Sequence, residues 1–201
     1  RRGHKRVELF LLCIVAGFGA QMIDGSLGMG YGVILSIILS SMGLPPIHVS
    51  ASVHVAKFFS TGASGLSHLK FGNVDKSLAL RLAVGGVVGA IFGTLVLTRV
   101  PGEIIKPVTA IYLTGMGVYI VYKARHKTEI LDTVRRRTAL GMVGGFCDAL
   151  GGGGWGPIVT SRLLAKGKNP RLAIGSVSLA EFFVAVTVVG LLISELPQLM
   201  N

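Results

Sequence analysis

Between Leu9 and Ala56 the chain carries one formally charged residue, Asp24. It heads a stretch with four glycines, Asp24-Gly25-Ser26-Leu27-Gly28-Met29-Gly30-Tyr31-Gly32. The stretch breaks an apolar run into Leu9–Ile23 and Val33–Leu44, and Pro45-Pro46 stops the second piece. Fifteen helical residues span about 22 Å, less than the ~30 Å hydrocarbon core of a bilayer. The two pieces are expected to be half-helices of a re-entrant hairpin, or two thin crossings.

A second copy follows at a shift of 124 residues: Asp148-Ala149-Leu150-Gly151-Gly152-Gly153-Gly154-Trp155-Gly156. Asp24 falls on Asp148, Gly28 on Gly152, Gly30 on Gly154, Tyr31 on Trp155 and Gly32 on Gly156. The match continues without a gap through Gly17 and Gly141, Ile34 and Ile158, Gly43 and Gly167, Pro46 and Pro170, Ser52 and Ser176, and Phe58 and Phe182. So long a match indicates a duplication.

Composition fixes the solvent. The chain is 51% hydrophobic and 14% charged, against roughly 25% charged in soluble domains. Too few polar side chains are present to cover a globule, and no strand-like alternation runs through them, so an all-α integral membrane protein is expected rather than a barrel. The net charge of +11 does not point to nucleic acid. The basic residues gather at the ends of apolar runs, at Arg1 to Arg6, Lys123 to Arg137 and Lys166 to Arg171, as in charged membrane loops. Cys13 and Cys147 lie inside apolar runs and are expected to be small buried packing residues.

Further spans are expected at Ile47–Leu69, Ser77–Thr98, Ile104–Tyr122, Thr138–Leu150, Pro157–Ala165 and Leu172–Ser194. Gly85, Gly89 and Gly93 recur every fourth residue, a spacing that admits a close helix neighbour. The first repeat is placed at 1–122, a basic loop at 123–137 and the second repeat at 138–201. The second repeat lacks counterparts of Ser77–Thr98 and Ile104–Tyr122, so the chain is expected to be incomplete at its C-terminus. The number of crossings between repeats is odd, so the second repeat is expected to be inverted. The architecture is then a polytopic helix bundle of two inverted repeats, each opening on a short Gly-rich hairpin. Inverted repeats with broken helices mark secondary transporters, with the site at the repeat interface. The loops at 70–76, 123–137 and 166–171 share one side and hold most of the Lys and Arg, which makes that side cytoplasmic; the basic N-terminus falls on the other side.

Glycines at a helix break expose N–H groups that need partners in hydrocarbon, and a helix starting after the break points its positive end at the gap. Gly28, Gly30, Tyr31, Gly32, Gly152, Gly154, Trp155 and Gly156 are therefore candidate substrate-lining residues; tight packing of hairpins explains the same glycines. Asp24 and Asp148 read as coupling groups or as N-caps. Ile47–Leu69 carries Ser50, His54, Lys57, Thr61, Ser64 and His68 at alternating spacings of four and three, hence on one face. Lys57 should not face lipid. Its repeat partner, Glu181, is again the sole charge of its span. Lys57 supplies positive charge for an anion while Glu181 carries a proton, or the two form a buried pair holding the halves together. Ser176 completes the candidates. No zinc-ligand spacing or nucleophile elbow appears, the βαβ context of a dinucleotide site is missing, and no cofactor is expected.

The paired glycine breaks, the Pro-led segments Pro46 to Ala51 and Pro170 to Ser176, and the turn His68-Leu69-Lys70-Phe71-Gly72-Asn73-Val74-Asp75 resemble the sulfite exporter TauE/SafE family over roughly residues 9–194. The resemblance implies a multi-pass permease of the cell membrane that moves sulfite, sulfonates or related small sulfur-containing anions, linked to protons. It points to both glycine clusters and the helices after them. The partners implied are the anion and the lipid bilayer, with a homo-oligomer left open. Two readings from other classes are an intramembrane aspartyl protease using Asp24 and Asp148, and a non-transporting membrane scaffold.

Overall fold

A computed structural model describes residues 11, 13–22, 24, 29–125, 137–165 and 167–199. The described elements are all helical: α1 (Cys13–Met22), α2 (Tyr31–Ser41), α3 (Pro46–Lys70), α4 (Lys76–Arg99), α5 (Gly102–Arg125), α6 (Arg137–Gly151), a π-helical turn (Gly156–Thr160), α7 (Ser161–Ala165) and α8 (Pro170–Leu199). Among the described residues three helical stretches are long and apolar enough to cross a membrane, Lys76–Arg99, Gly102–Tyr122 and Pro170–Glu195. Helix α3, with 25 residues, has the length to cross, about 37 Å, but its polar stripe keeps it out of that set. Helix α2 has 11 residues, about 16 Å, so the first hairpin has a short second arm, as its apolar run predicts. After the second break Pro157 has no N–H to give, and the chain takes a wide π turn, Ser161 N–H reaching the Gly156 carbonyl, before α7.

Helix α4 is the hub, packed on α6 and α8. Its seam with α6 is backbone on backbone. A Cβ on Gly85 or Gly89 would overlap the carbonyl of Thr138 or Met142, and one on Gly93 would press on Phe146 O; from the other side Gly141 and Gly145 abut Leu82 O and Gly86. Residue numbers rise together along this seam, so α4 and α6 run parallel. Trp155, fully buried, fills the space left by Gly86 and Gly144, and its indole N–H donates to Val177 O at 3.3 Å. Leu78, Leu82, Val159, Val184 and Val188 complete the core around it.

Helices α3 and α8 cross in the opposite sense. Gly175 faces His68, Gly65 faces Leu179 and Gly62 faces the Phe182 ring, so one number falls as the other rises and the helices are antiparallel. The Phe58 and Phe182 rings, equivalent in the two repeats, sit 5.5 Å apart. Gly43 and Gly167, also equivalent, both adopt positive φ, 85° and 70°, at the turns after α2 and α7, where a side chain would be strained.

One end of the bundle is tied by Asp75. Its carboxylate caps α4, accepting from Leu78 N at 3.0 Å, and takes Lys168 Nζ at 3.0 Å. Ser176 Oγ accepts from Asp75 N at 2.9 Å. The turns at 70–76 and 167–171 therefore lie together, on one side. Those bonds, the capping N–H first and Lys168 second, hold the Asp75 carboxyl below the usual carboxylate range. The basic loop expected at 123–137 and the N-terminal Arg1 to Arg6 lie mostly or wholly outside the described residues.

Cys13 does not have the buried place expected of it: it is exposed. It shares that exposure with Ile14, Val15, Phe18 and Met22 of α1, because nothing in the described chain covers this face and an apolar side chain there costs nothing in hydrocarbon. Cys147 is half-buried.

Two outcomes follow from this packing. Gly89→Leu is expected to destabilise by about 1–3 kcal/mol or more through overpacking, whereas Gly117→Ala, with open space around it, is expected to be neutral or stabilising by up to about 1 kcal/mol; thermal unfolding in detergent separates them. Asp75 is more acidic folded than unfolded, so it contributes stability above the unfolded value near pH 4 and loses it as pH falls through the lower folded value. Asp75→Asn is expected to flatten that acid limb, read as melting temperature between pH 6 and pH 3.

Candidate functional site

The two glycine breaks meet. A Cβ at Gly32 would overlap the Gly152 carbonyl, one at Gly153 would lie 2.7 Å from Val33 Cα, and one at Gly156 would lie 2.9 Å from Met29 Cα. Only glycine allows backbones this close. Gly152 also needs positive φ, 71°, to turn the chain out of α6.

Each aspartate caps the segment beyond its own break. Asp148 Oδ1 accepts from Gly154 N at 2.9 Å and Trp155 N at 3.1 Å. Asp24 Oδ1 accepts from Tyr31 N at 3.2 Å. Tyr31 and Trp155 are repeat equivalents, so the same bond is made twice. Both aspartates thus satisfy N–H groups that would otherwise be orphaned at a broken helix.

The capping role does not exhaust Asp148. It is fully buried, and α3 supplies its counter-charge. Lys57 Nζ donates to Asp148 Oδ1 and Oδ2 at 2.7 and 2.9 Å and reaches Glu181 Oε1 at 2.9 Å. His54 Nε2 stands 3.2 Å from Asp148 Oδ2, with its Nδ1 2.8 Å from Ser50 O. Ser50 Oγ donates to Ala149 O at 2.7 Å, tying α3 to the end of α6. The spacing of four and three residues on α3 thus delivers Ser50, His54 and Lys57 to one place. The Lys57–Glu181 pair is present, and Asp148 makes it a triad.

Asp24, Tyr31, Lys57, Gly153, Gly156 and Glu181 line a cavity of about 20 Å³ between the breaks, room for about one water. Two carboxylates, Asp24 and Glu181, and one lysine line it, and Asp148 stands behind Lys57. Gly30 and Gly32 are on the same lining. Not all the expected site residues converge here. Trp155 has its indole in the core, Gly154 packs on the Asp148 backbone and the Tyr112 hydroxyl, and Ser176 holds Asp75 at the surface turn. Gly28 lies outside the described residues. Sequence reading passed over Ser36 and Thr160, both fully buried and equivalent at the shift of 124; two hydroxyls at matching places in apolar runs were the available signal. It also passed over Tyr112, whose hydroxyl points at the second break beside Cys147. Among the described residues no cluster suited to a metal ion occurs.

A glycine-broken helix pair closing on a charged cavity, in a bundle with membrane-length helices, is the build of a helical membrane protein. The chain belongs to the sulfite exporter TauE/SafE family, whose model matches residues 13–199. It is 43% identical over 187 residues to the probable membrane transporter protein YtnM of Bacillus subtilis (strain 168), a match covering 89% of this chain and 62% of that protein. A probable membrane transporter protein, ORF9, of Sinorhizobium sp is 29% identical over 120 residues, 60% of this chain and 44% of its own length. Sulfite exporter TauE/SafE family protein 6 of Arabidopsis thaliana is 26% identical over 110 residues, 55% of this chain and 26% of that protein. The chain thus spans less than two thirds of the length of these relatives. No solved structure gives a significant match.

The asymmetry between the aspartates is measurable. Asp148→Ala takes one of the two carboxylates from Lys57 and uncaps the Gly154 and Trp155 N–H groups, and is expected to cost about 3 kcal/mol or more, whereas Asp24→Ala removes one capping bond and is expected to cost about 1 kcal/mol. Equilibrium unfolding in detergent micelles should separate the two; equal costs would contradict the triad's weight.

Proposed function

We propose that the protein is a multi-pass secondary transporter of the cytoplasmic membrane that exports a small sulfur-containing oxyanion such as sulfite or a sulfonate. The observation that carries this reading is the convergence of both glycine breaks and of Lys57, Glu181 and Asp24 on one cavity, with Asp148 bonded to Lys57 behind it. In this reading residues 1–122 and 138–201 are two inverted repeats joined by the loop 123–137. The antiparallel crossing of α3 and α8, with equivalent phenylalanines in contact, supports the inversion, because repeats related by a two-fold axis in the membrane plane meet at matching residues.

The charge balance suggests the coupling. Lys57 is the fixed cation an anion would seek, but Asp148 and Glu181 already hold it. Three carboxylates facing one lysine in a low-dielectric interior repel a further negative charge. Entry of an oxyanion at Lys57 therefore requires that carboxylate charge be discharged, and protons on Glu181 and Asp24, which share the cavity, are the simplest means. The cavity has room for about one water, so it fits a closed arrangement in which the breaks must part to admit substrate.

The protease reading gains nothing from this site. Both Asp148 oxygens are engaged by Lys57, His54 and backbone N–H groups, which leaves no free partner for Asp24.

Reconstituted proteoliposomes test the proposal. Sulfite flux is expected to rise above that of protein-free vesicles and to respond to an imposed pH gradient. Glu181→Gln, which keeps shape but not charge, is expected to remove the pH-gradient response and to slow flux by about tenfold, the effect of ~1.4 kcal/mol on the barrier. Flux no greater than through bare lipid would sink the transporter reading; an unaltered pH response in Glu181→Gln would remove that residue from coupling.

A further inference from the structure

We propose that Ser36 and Thr160 are paired hydroxyl donors that take the oxygens of the oxyanion when the two glycine breaks part. The inference rests on the oxyanion reading above and names side chains for it.

Hydroxyls inside helices usually donate a hydrogen bond to the carbonyl four residues back. That is what Thr61 does to Lys57 O, Thr98 to Thr94 O, Thr109 to Ile105 O, Thr114 to Ala110 O and Thr187 to Phe183 O. Ser36 and Thr160 do not. Both are fully buried, and neither hydroxyl has a hydrogen-bond partner among the described residues. A buried hydroxyl without a partner is costly and calls for an explanation. Two more share the condition among the described residues, Thr94 and Tyr112. Thr94 lies in α4 and not on a segment that follows a glycine break, and Tyr112 has the Cys147 thiol beside it.

What sets Ser36 and Thr160 apart is their relation. They occupy the same position of the two repeats, each on the segment that follows a glycine break. The repeats have diverged widely around them, even exchanging lysine for glutamate at 57 and 181, yet a hydroxyl stands at both places. Ser36 is aimed at the opposite break: a Cβ on Gly152 would lie 2.7 Å from its Oγ. The backbone there is pressed close with only hydrogen between, so separating the breaks uncovers a hydroxyl already directed at the gap. Tyr112 approaches the same break from α5, a Cβ on Gly154 lying 2.6 Å from its hydroxyl oxygen.

An oxyanion has acceptor oxygens and no donors to spare, so it suits a site whose uncommitted groups are O–H donors. Lys57 supplies the charge and the two hydroxyls supply orientation, one from each half of the protein. A ligand held this way binds both halves at once. Neither hydroxyl is on the lining of the closed cavity; in this proposal both stay idle until the breaks part.

Sulfite flux into proteoliposomes and the melting temperature with and without sodium sulfite form the test, on the full chain and on Ser36→Ala, Thr160→Val and the double variant. Each single variant is expected to raise KM for sulfite about tenfold, as loss of a hydrogen bond to a charged ligand does. Sulfite should then no longer raise the melting temperature of the variant at a concentration that raises it in the parent. Without sulfite the variants should melt no lower than the parent, because an idle buried hydroxyl adds nothing to the fold. Ser36→Thr and Thr160→Ser are expected to restore KM. If the parent moves sulfite and the alanine and valine variants keep its KM, the hydroxyls have no part in binding and the inference fails alone. A variant that melts lower without sulfite yet keeps the parental KM assigns the hydroxyl to packing and overturns it equally. If the parent neither moves nor binds sulfite, the transporter reading fails first.

Discussion

A lysine inside a membrane protein has to be neutralised within bonding distance, and the arrangement around Lys57 follows from that requirement. Its ammonium group bridges Asp148 and Glu181 at 2.7 and 2.9 Å. To do so it draws together α3, the end of α6 and the middle of α8. The glycine break at 152–156 makes this geometry available, since Asp148 must lie at a helix end to cap Gly154 and Trp155 while still facing α3. Removing the break would leave the carboxylate on an intact helix surface with nothing to cap. The chemistry of the site and the discontinuity of the helix are thus one feature.

Much of this was legible beforehand because it obeys helix periodicity or the internal repeat. The stripe Ser50, His54, Lys57 could be assigned to one face from spacing alone. The repeat identified Lys57 and Glu181 as counterparts, and their ion pair is present. The spans themselves fall within a few residues of the helices found. The entry of Asp148 as the third member was not legible, because periodicity tells which face of its own helix a residue occupies and not which neighbour covers that face. The same limit explains Trp155. It aligns with Tyr31, which lines the cavity, yet its larger ring finds space at Gly86 and Gly144 and turns into the core. Ser176 aligns with Ser52 but is recruited by Asp75, a residue whose counterpart at the shift of 124 is Leu199.

Ser36 and Thr160 were overlooked for a different reason. Serine and threonine are common in membrane helices and ordinarily bond their own backbone, so neither stands out as a letter in an apolar run. Their interest appears only when hydrogen bonds are accounted for one by one. A buried donor without a partner is invisible to composition and to periodicity alike.

The seam between α4 and α6 has a mechanical consequence. With glycine at every fourth position pressed on carbonyl groups, there is no cushion of side chains to deform. A slide of less than four residues, about 6 Å, would drive a side chain into backbone. The two helices are therefore a stiff beam with an indexed fit, and in the transport reading the displacement that opens the cavity falls on the other side of it, where α3 meets the ends of the break through the Ser50 hydroxyl and the Lys57 ion pairs and α2 meets it across a single layer of glycine hydrogens.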